Sequence, residues 1–218
     1  MKKIVIWSTG GLASELYMHI QQDNSMNVVA FCASRQFCNE KTFLDLPLIP
    51  DDQLEIYYPP NEYDVIIAVG FKGMNKLRKE KFEDLKKRGY YIRNYIHKSA
   101  IIHSTFKIGE GNIILEGVTI GVNCCIGNGN VILMRSCLSH DIYVKDYNFF
   151  AINTVIGGFV DISNNCFCGL NSTIFPYIKV SEATLIGAGA VIKENTNMND
   201  VFVSPNSIKL TRSSYELF

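Results

Sequence analysis

His140 and Asp141 set an imidazole beside a carboxylate. Such a pair can take a proton near neutral pH, because the ring is largely neutral there and an acidic neighbour favours its protonated form. A surface histidine next to a solvated carboxylate is the plainer alternative. Gly158 singles the pair out. Leu138 and Ile156, each two residues earlier, hold equivalent places in a six-residue repeat, and eighteen residues separate His140 from Gly158. If residues eighteen apart stack, Gly158 lies directly over His140, within reach of one small ligand.

The repeat that would position them runs from Ile96 to Val203. An apolar residue returns at every sixth place: Ile96, Ile102, Ile108 and onward through Leu138, Val144, Phe150 and Ile156 to Ile192 and Met198, eighteen positions in all. A helix has a period near 3.6 and a strand a period of 2, so neither alone explains it. One short strand and one turn per hexapeptide does explain it, with the turns of the coil stacked to bury a continuous column. Three hexapeptides close a triangular coil, so eighteen predict six coils spaced by roughly 4.8 Å. The residue four after each apolar one is usually small, as at Cys124, Ser136, Thr154 and Ala190. Glycine follows directly at 109, 121, 127, 157, 169 and 187, where a tight turn would tolerate no β-carbon.

Ahead of the repeat, Lys3–Trp7 reads as a buried strand, followed by Ser8-Thr9-Gly10-Gly11-Leu12 and a helical pattern through Leu16 and Ile20. A strand, a glycine turn and a helix start leave backbone N–H groups and the helix dipole free for a phosphate. The same segment also serves as an ordinary turn. Asn27–Cys32 is a second strand, followed by Ser34 and Arg35, and Arg35 can meet a phosphate or simply be solvated. Asp64–Gly70 is a third strand, ending at Gly70, where open α/β sheets place ligands. A helix is predicted over Gly73–Arg88, with Met74, Leu77, Phe82 and Leu85 as its apolar stripe. Pro47, Pro50, Pro59 and Pro60 mark the stretch between the second and third strands as irregular. The change of period near residue 93 predicts two domains, 1–93 and 94–218.

Lys plus Arg and Asp plus Glu number 21 each, with no basic surface, so nucleic acid is not an expected partner. The apolar run after Lys2-Lys3 is too short for an export signal, and no segment reaches membrane-spanning length. A cytoplasmic location is expected. Seven cysteines without an export signal read as free thiols, and Cys166-x-Cys168 lacks a second pair for zinc. His97 and His103 fall two or more coils below His140, too far to share a metal with it, so none is expected.

The hexapeptide array, Ile186-Gly187-Ala188-Gly189-Ala190, and the succession from Ile-Ala-Val-Gly (67–70) through Leu77-Arg78 to Tyr95-Ile-His-Lys-Ser-Ala100 resemble the hexapeptide-repeat sugar acetyltransferases. Within that group the resemblance is to the sialic acid O-acetyltransferase and bacillosamine N-acetyltransferase type. The resemblance covers nearly the whole chain. It implies a small Rossmann-like N-terminal domain followed by a left-handed parallel β-helix. It also implies acetyl-CoA-dependent transfer to an amino or hydroxyl group of a nucleotide-linked sugar, in surface polysaccharide (O-antigen) or glycan synthesis. In that family the residue at His140 is the general base, aided by the acid at Asp141, and the glycine at Gly158 offers its N–H to the thioester oxygen. Leu170 and Ala188 match positions lining CoA. Phe149 stands where relatives carry a second, CoA-contacting histidine. Gly10, Gly11, Leu12, Ser34, Arg35 and Gly70 fall where the nucleotide sugar binds, although Ser34-Arg35 replaces an acidic pair. Homotrimers with active sites between subunits are implied too. A catalytically silent scaffold on the same repeat is the competing reading.

Overall fold

The computed structural model describes residues 3–207, 209, 211 and 215. Its first part is a five-stranded sheet in the order β3-β4-β2-β1-β5, with β1 (Lys3–Trp7), β2 (Val28–Ala33), β3 (Thr42–Phe43), β4 (Leu46–Pro50) and β5 (Tyr63–Ile67). All neighbours are parallel except the β3–β4 hairpin. Ile4, Val5 and Ile6 are buried, as expected for a strand covered on both faces. Helix α1 (Gly11–Asp23) joins β1 to β2, α2 (Leu54–Tyr57) precedes β5, and α3 (Lys76–Lys87) follows it. The proline-marked stretch is therefore not irregular, since β4 runs between Leu46 and Pro50 and pairs with β2. Helix α3 starts three residues later than predicted. Gly73, Met74 and Asn75 all sit at positive φ, a conformation that cannot continue a right-handed helix.

From Tyr95–Ile96 to Val191–Ile192, seventeen two-residue strands follow one another at six-residue spacing. Each pairs in parallel with the strand eighteen residues away, as in Leu138↔Ile156 and Ile156↔Ile174. The strands form three stacked sheets, the coil expected of the repeat, and the whole is the left-handed parallel β-helix that the resemblance implies. Inward residues from Ile114 to Ile192 are at most 2% exposed. The eighteenth position breaks the pattern. Met198 is 62% exposed, and the last strand, Val201–Phe202, pairs with Leu185–Ile186 at a spacing of sixteen. The coil is shortened where Asn195 Oδ1 and Thr196 Oγ1 accept from the N–H groups of Lys179 and Ser181, which closes that strand edge. The predicted cover over the final coil by residues 204–218 falls largely outside the described residues.

Two turn positions explain the repeat. The glycines directly after an inward residue face the next coil: a β-carbon on Gly169 would lie 2.6 Å from the backbone nitrogen of Ala188, and one on Gly157 2.6 Å from that of Pro176. Close backbone approach, rather than a glycine-only φ, selects them. Two residues later the chain turns left-handed at fourteen consecutive positions from Gly111 to Gly189. Nine are Gly, Asn or Asp, the residues that tolerate this conformation.

The three faces differ outside. One, carrying Ile113, Val131 and Phe149, is covered: these side chains form one buried cluster with Leu16, Phe31 and Ile66 of the first part. A second is open and apolar, with Ile101, Val155 and Val191 exposed by 69%, 40% and 51%. The third, also open, carries Lys107, Tyr143, Asp161 and Lys179 and is polar. All seven cysteines are free. Among the described residues no helix is long and apolar enough to cross a membrane.

Candidate active site

His140 lies in the turn between an apolar-face strand (Cys137–Leu138) and a polar-face strand (Tyr143–Val144). Its Nδ1 is 2.9 Å from Asp141 Oδ2. An ionised carboxylate only accepts, so Nδ1 carries the hydrogen and the Nε2 lone pair of the neutral ring is free. Asp141 is one of the left-handed turn residues, at φ 54°, and also accepts from Asn123 Nδ2, 3.1 Å away and one coil below. The His140 bond first, and the Asn123 bond second, hold the Asp141 carboxyl below the usual carboxylate range. The carboxylate is therefore fixed in place and charged when the ring is to be oriented.

Gly158 sits against this imidazole as the register requires. A β-carbon there would lie 2.6 Å from His140 Cε1 and 2.8 Å from Nε2. The Gly158 carbonyl accepts from the Tyr177 N–H, whereas its own N–H has no protein acceptor among the described residues. A ring nitrogen and a backbone donor, both without a protein partner among the described residues, thus lie side by side, an arrangement that can pair a base with a hydrogen-bond donor on one small ligand. Phe159 meets the His140 ring edge-on at 5.2 Å, and Tyr177 stacks on Phe159 at 4.9 Å. Asn123, Asp141, Phe159 and Tyr177 form a single column at eighteen-residue intervals. The sequence reading took Asp141 from it and missed the other three, although the same arithmetic finds them.

Leu170 and Ala188 stack on each other, with the Gly189 N–H donating to the Leu170 carbonyl at 2.8 Å. They occupy a different corner, between the covered and apolar faces, so within one chain the apolar face separates them from His140. Phe149 is in a third place. On the covered face it is 5% exposed, stacked on Phe167 and met by the edge of Phe71. It does not reach the His140 turn within its own chain, because its strand belongs to the sheet packed against the first part.

Phe149 instead helps wall a cavity of about 660 Å3 at the C-terminal ends of β1, β2 and β5. Gly10, Gly11, Leu12, Ser34 and Gly70 line it as well. Helix α1 opens onto it with no side-chain cap, and the N–H groups of Gly11 and Leu12 have no protein acceptor among the described residues. Unclaimed amides at a helix start favour an anion. Burial pushes the carboxyl of Glu15, in the same wall, upward. Arg35 does not line the cavity. It is spent on Asp52, with Nη2 2.6 Å from Oδ2, because the turn after β4 brings that carboxylate beside it. Lys72 is the cation in the wall, and the sequence reading did not single it out. Among the described residues no group of three or more His, Cys, Asp or Glu is placed to hold a metal ion.

No family model and no curated protein matches the sequence. Solved structures do match in fold. A histidine-to-alanine variant of GDP-perosamine N-acetyltransferase from Caulobacter crescentus, in complex with CoA and GDP-perosamine, is 21% identical, with TM-score 0.83 over 92% of this chain and 93% of that one. The acetyltransferase domain of PglB from Neisseria gonorrhoeae is 18% identical, with TM-score 0.83 over 92% and 96%. WeeI from Acinetobacter baumannii is 20% identical, with TM-score 0.81 over 94% and 97%. Over nearly its whole length, then, this chain has the fold of those proteins, a Rossmann-like sheet set in front of a left-handed parallel β-helix.

Proposed function

We propose that this protein transfers an acetyl group from acetyl-CoA to an amino or hydroxyl group of a nucleotide-linked sugar, within surface glycan synthesis in the cytoplasm. Residues 1–93 would hold the sugar nucleotide and residues 94–218 would carry the acyl transfer. The observation that carries the reading is the Gly158 backbone against the free edge of the His140 imidazole. The structural neighbour with CoA and GDP-perosamine bound supports the choice of substrates.

Acetyl-CoA, when bound, supplies the activated acyl group. His140 Nε2 takes the proton of the acceptor as it attacks, while Asp141 keeps the ring oriented and steadies the imidazolium. The Gly158 N–H donates to the thioester oxygen as negative charge gathers there, and as the C–S bond then breaks the His140 imidazolium gives its proton to the leaving CoA sulfur, which departs as the thiol. The test is release of the CoA thiol with GDP-, UDP- and dTDP-linked amino sugars, against the same panel lacking the amino group. Release with one nucleotide-linked sugar is the expected result, lost with the amino group if nitrogen is the acceptor and kept without it if a hydroxyl is. No release with any acceptor, by folded protein, would favour the silent scaffold.

A trimer follows from the same reading. The open apolar face lies between the His140 turn and the corner carrying Leu170, Ala188 and Leu133, the last of these in the cavity wall. Packing that face on a second copy would bury its exposed Ile101, Val155 and Val191 and set one chain's His140 near the next chain's cavity. Val155→Glu, in the middle of the face, is expected to convert a trimer to monomers in sedimentation analysis. Acetyl transfer should drop at least tenfold with the β-helix intact by circular dichroism. A wild-type monomer at micromolar concentration would end the proposal.

A further inference from the structure

Arg78, on α3, is 1% exposed, yet no ion pair reaches it among the described residues. Its guanidinium spends all its bonds on backbone carbonyls from three segments. Nε donates to Gly129 O (2.7 Å), Nη1 to Val69 O (3.2 Å) and Gly70 O (2.8 Å), and Nη2 to Tyr147 O and Asn148 O (3.0 Å each). The Gly129, Tyr147 and Asn148 carbonyls belong to stacked turns of the β-helix, and the other two lie just past β5, in the cavity wall. A buried cation without a counter-ion is costly. Burial pushes Arg78 down to about 9, which still leaves it charged at neutral pH.

The peptide geometry says what the charge does. A trans peptide points its N–H opposite its C=O. Holding the carbonyls of Val69 and Gly70 toward Arg78 therefore turns the N–H groups of Gly70 and Phe71 the other way. Both residues line the cavity, and neither N–H has a protein acceptor among the described residues. The Gly11 and Leu12 amides at the start of α1 open onto the same space. The Phe149 ring, also in the cavity wall, has its centroid 5.9 Å from the guanidinium carbon.

We propose that Arg78 is a positioning residue for an anion site in this cavity, turning the Gly70 and Phe71 amides toward the diphosphate of the acceptor. This rests on the nucleotide-linked acceptor proposed above. The buried charge adds a positive potential at this wall, since no carboxylate pairs with Arg78 among the described residues, and Glu15 on the same wall is held toward its neutral form by burial. Arg78 itself does not touch the ligand. A lysine cannot reproduce the fork, having three rotatable donors in place of five fixed ones.

The test is calorimetric titration of the full chain with GDP, UDP and dTDP and with the matching nucleosides. Arg78→Lys is expected to weaken the preferred diphosphate at least tenfold while leaving its nucleoside and acetyl-CoA within about twofold. A second pair avoids the core. Phe71→Pro removes one amide and Phe71→Ala keeps it, so proline should weaken the diphosphate at least fivefold relative to alanine, with the nucleoside equal between the two. Equal losses of diphosphate and nucleoside in Arg78→Lys would reduce the residue to a structural clamp and overturn the proposal. So would matching affinities of the Phe71 pair, which decides the question if Arg78→Lys does not fold. A wild-type protein that binds none of the three diphosphates would instead bring down the nucleotide-linked acceptor reading beneath it.

Discussion

His140→Ala is expected to lower kcat for acetyl transfer by about 10²–10⁴, the usual worth of a positioned general base, and to leave the fold in place. The side chain is half exposed, at 49%, and its partners are a neighbouring carboxylate and the edge of Phe159, so the β-helix core loses nothing with it. An exposed substitution of this kind changes stability by about 0.5 kcal/mol or less. Affinity for acetyl-CoA should hold, since the proton is taken from the other substrate. Asp141→Asn should fall between the two proteins, because an amide can still accept from Nδ1 but brings no charge to the imidazolium. Thiol release under saturating acetyl-CoA, with thermal unfolding followed in parallel, measures both quantities. An alanine variant as active as the wild type would remove the base from the mechanism and return the histidine to a plain surface role.

Much of this site could be read from spacing alone because the β-helix is a nearly one-dimensional object. Once the period is six and the coil eighteen, the stacking of Gly158 over His140 follows by subtraction. The same arithmetic separates Leu170 and Ala188 from His140 by one face. Elsewhere the sequence is silent for physical reasons. Met198 keeps the apolar period but not the structure, because the turn before it is shortened and side chains of Asn195 and Thr196 take over the strand edge. Arg78 sits among lysines on a helix that reads as a solvated face. Only the packing of α3 against turns fifty and seventy residues away buries it. Lys72 lines the cavity and Arg35 does not, because Asp52, a long-range neighbour, holds the Arg35 guanidinium.

The glycines of the repeat divide into two kinds, and that division carries the other large effect. A β-carbon on Gly169 would meet backbone atoms of the next coil, 2.6 Å from Ala188 N and 2.7 Å from Gly187 C. Neither can move without parting the ladder. Gly169→Ala is therefore expected to destabilise the fold by about 1–3 kcal/mol, the cost of forcing an extra methyl into a packed interior. The three atoms nearest a β-carbon on Gly158 all belong to the His140 ring, the half-exposed end of a side chain that can give way at the cost of its Asp141 bond. Its φ lies outside the left-handed region, so alanine there adds no backbone strain. Gly158→Ala should unfold within a degree or two of the wild type yet lose about 10²-fold in kcat, since a displacement of about 1 Å at a reacting group costs that much. Urea unfolding and thiol release on the two variants form a crossed pair, stability lost at one glycine and activity at the other. Full activity in Gly158→Ala would mean that the imbricated imidazole and amide are not where the acyl group reacts. Matching stability losses in the two would make Gly158 one more packing glycine of the coil.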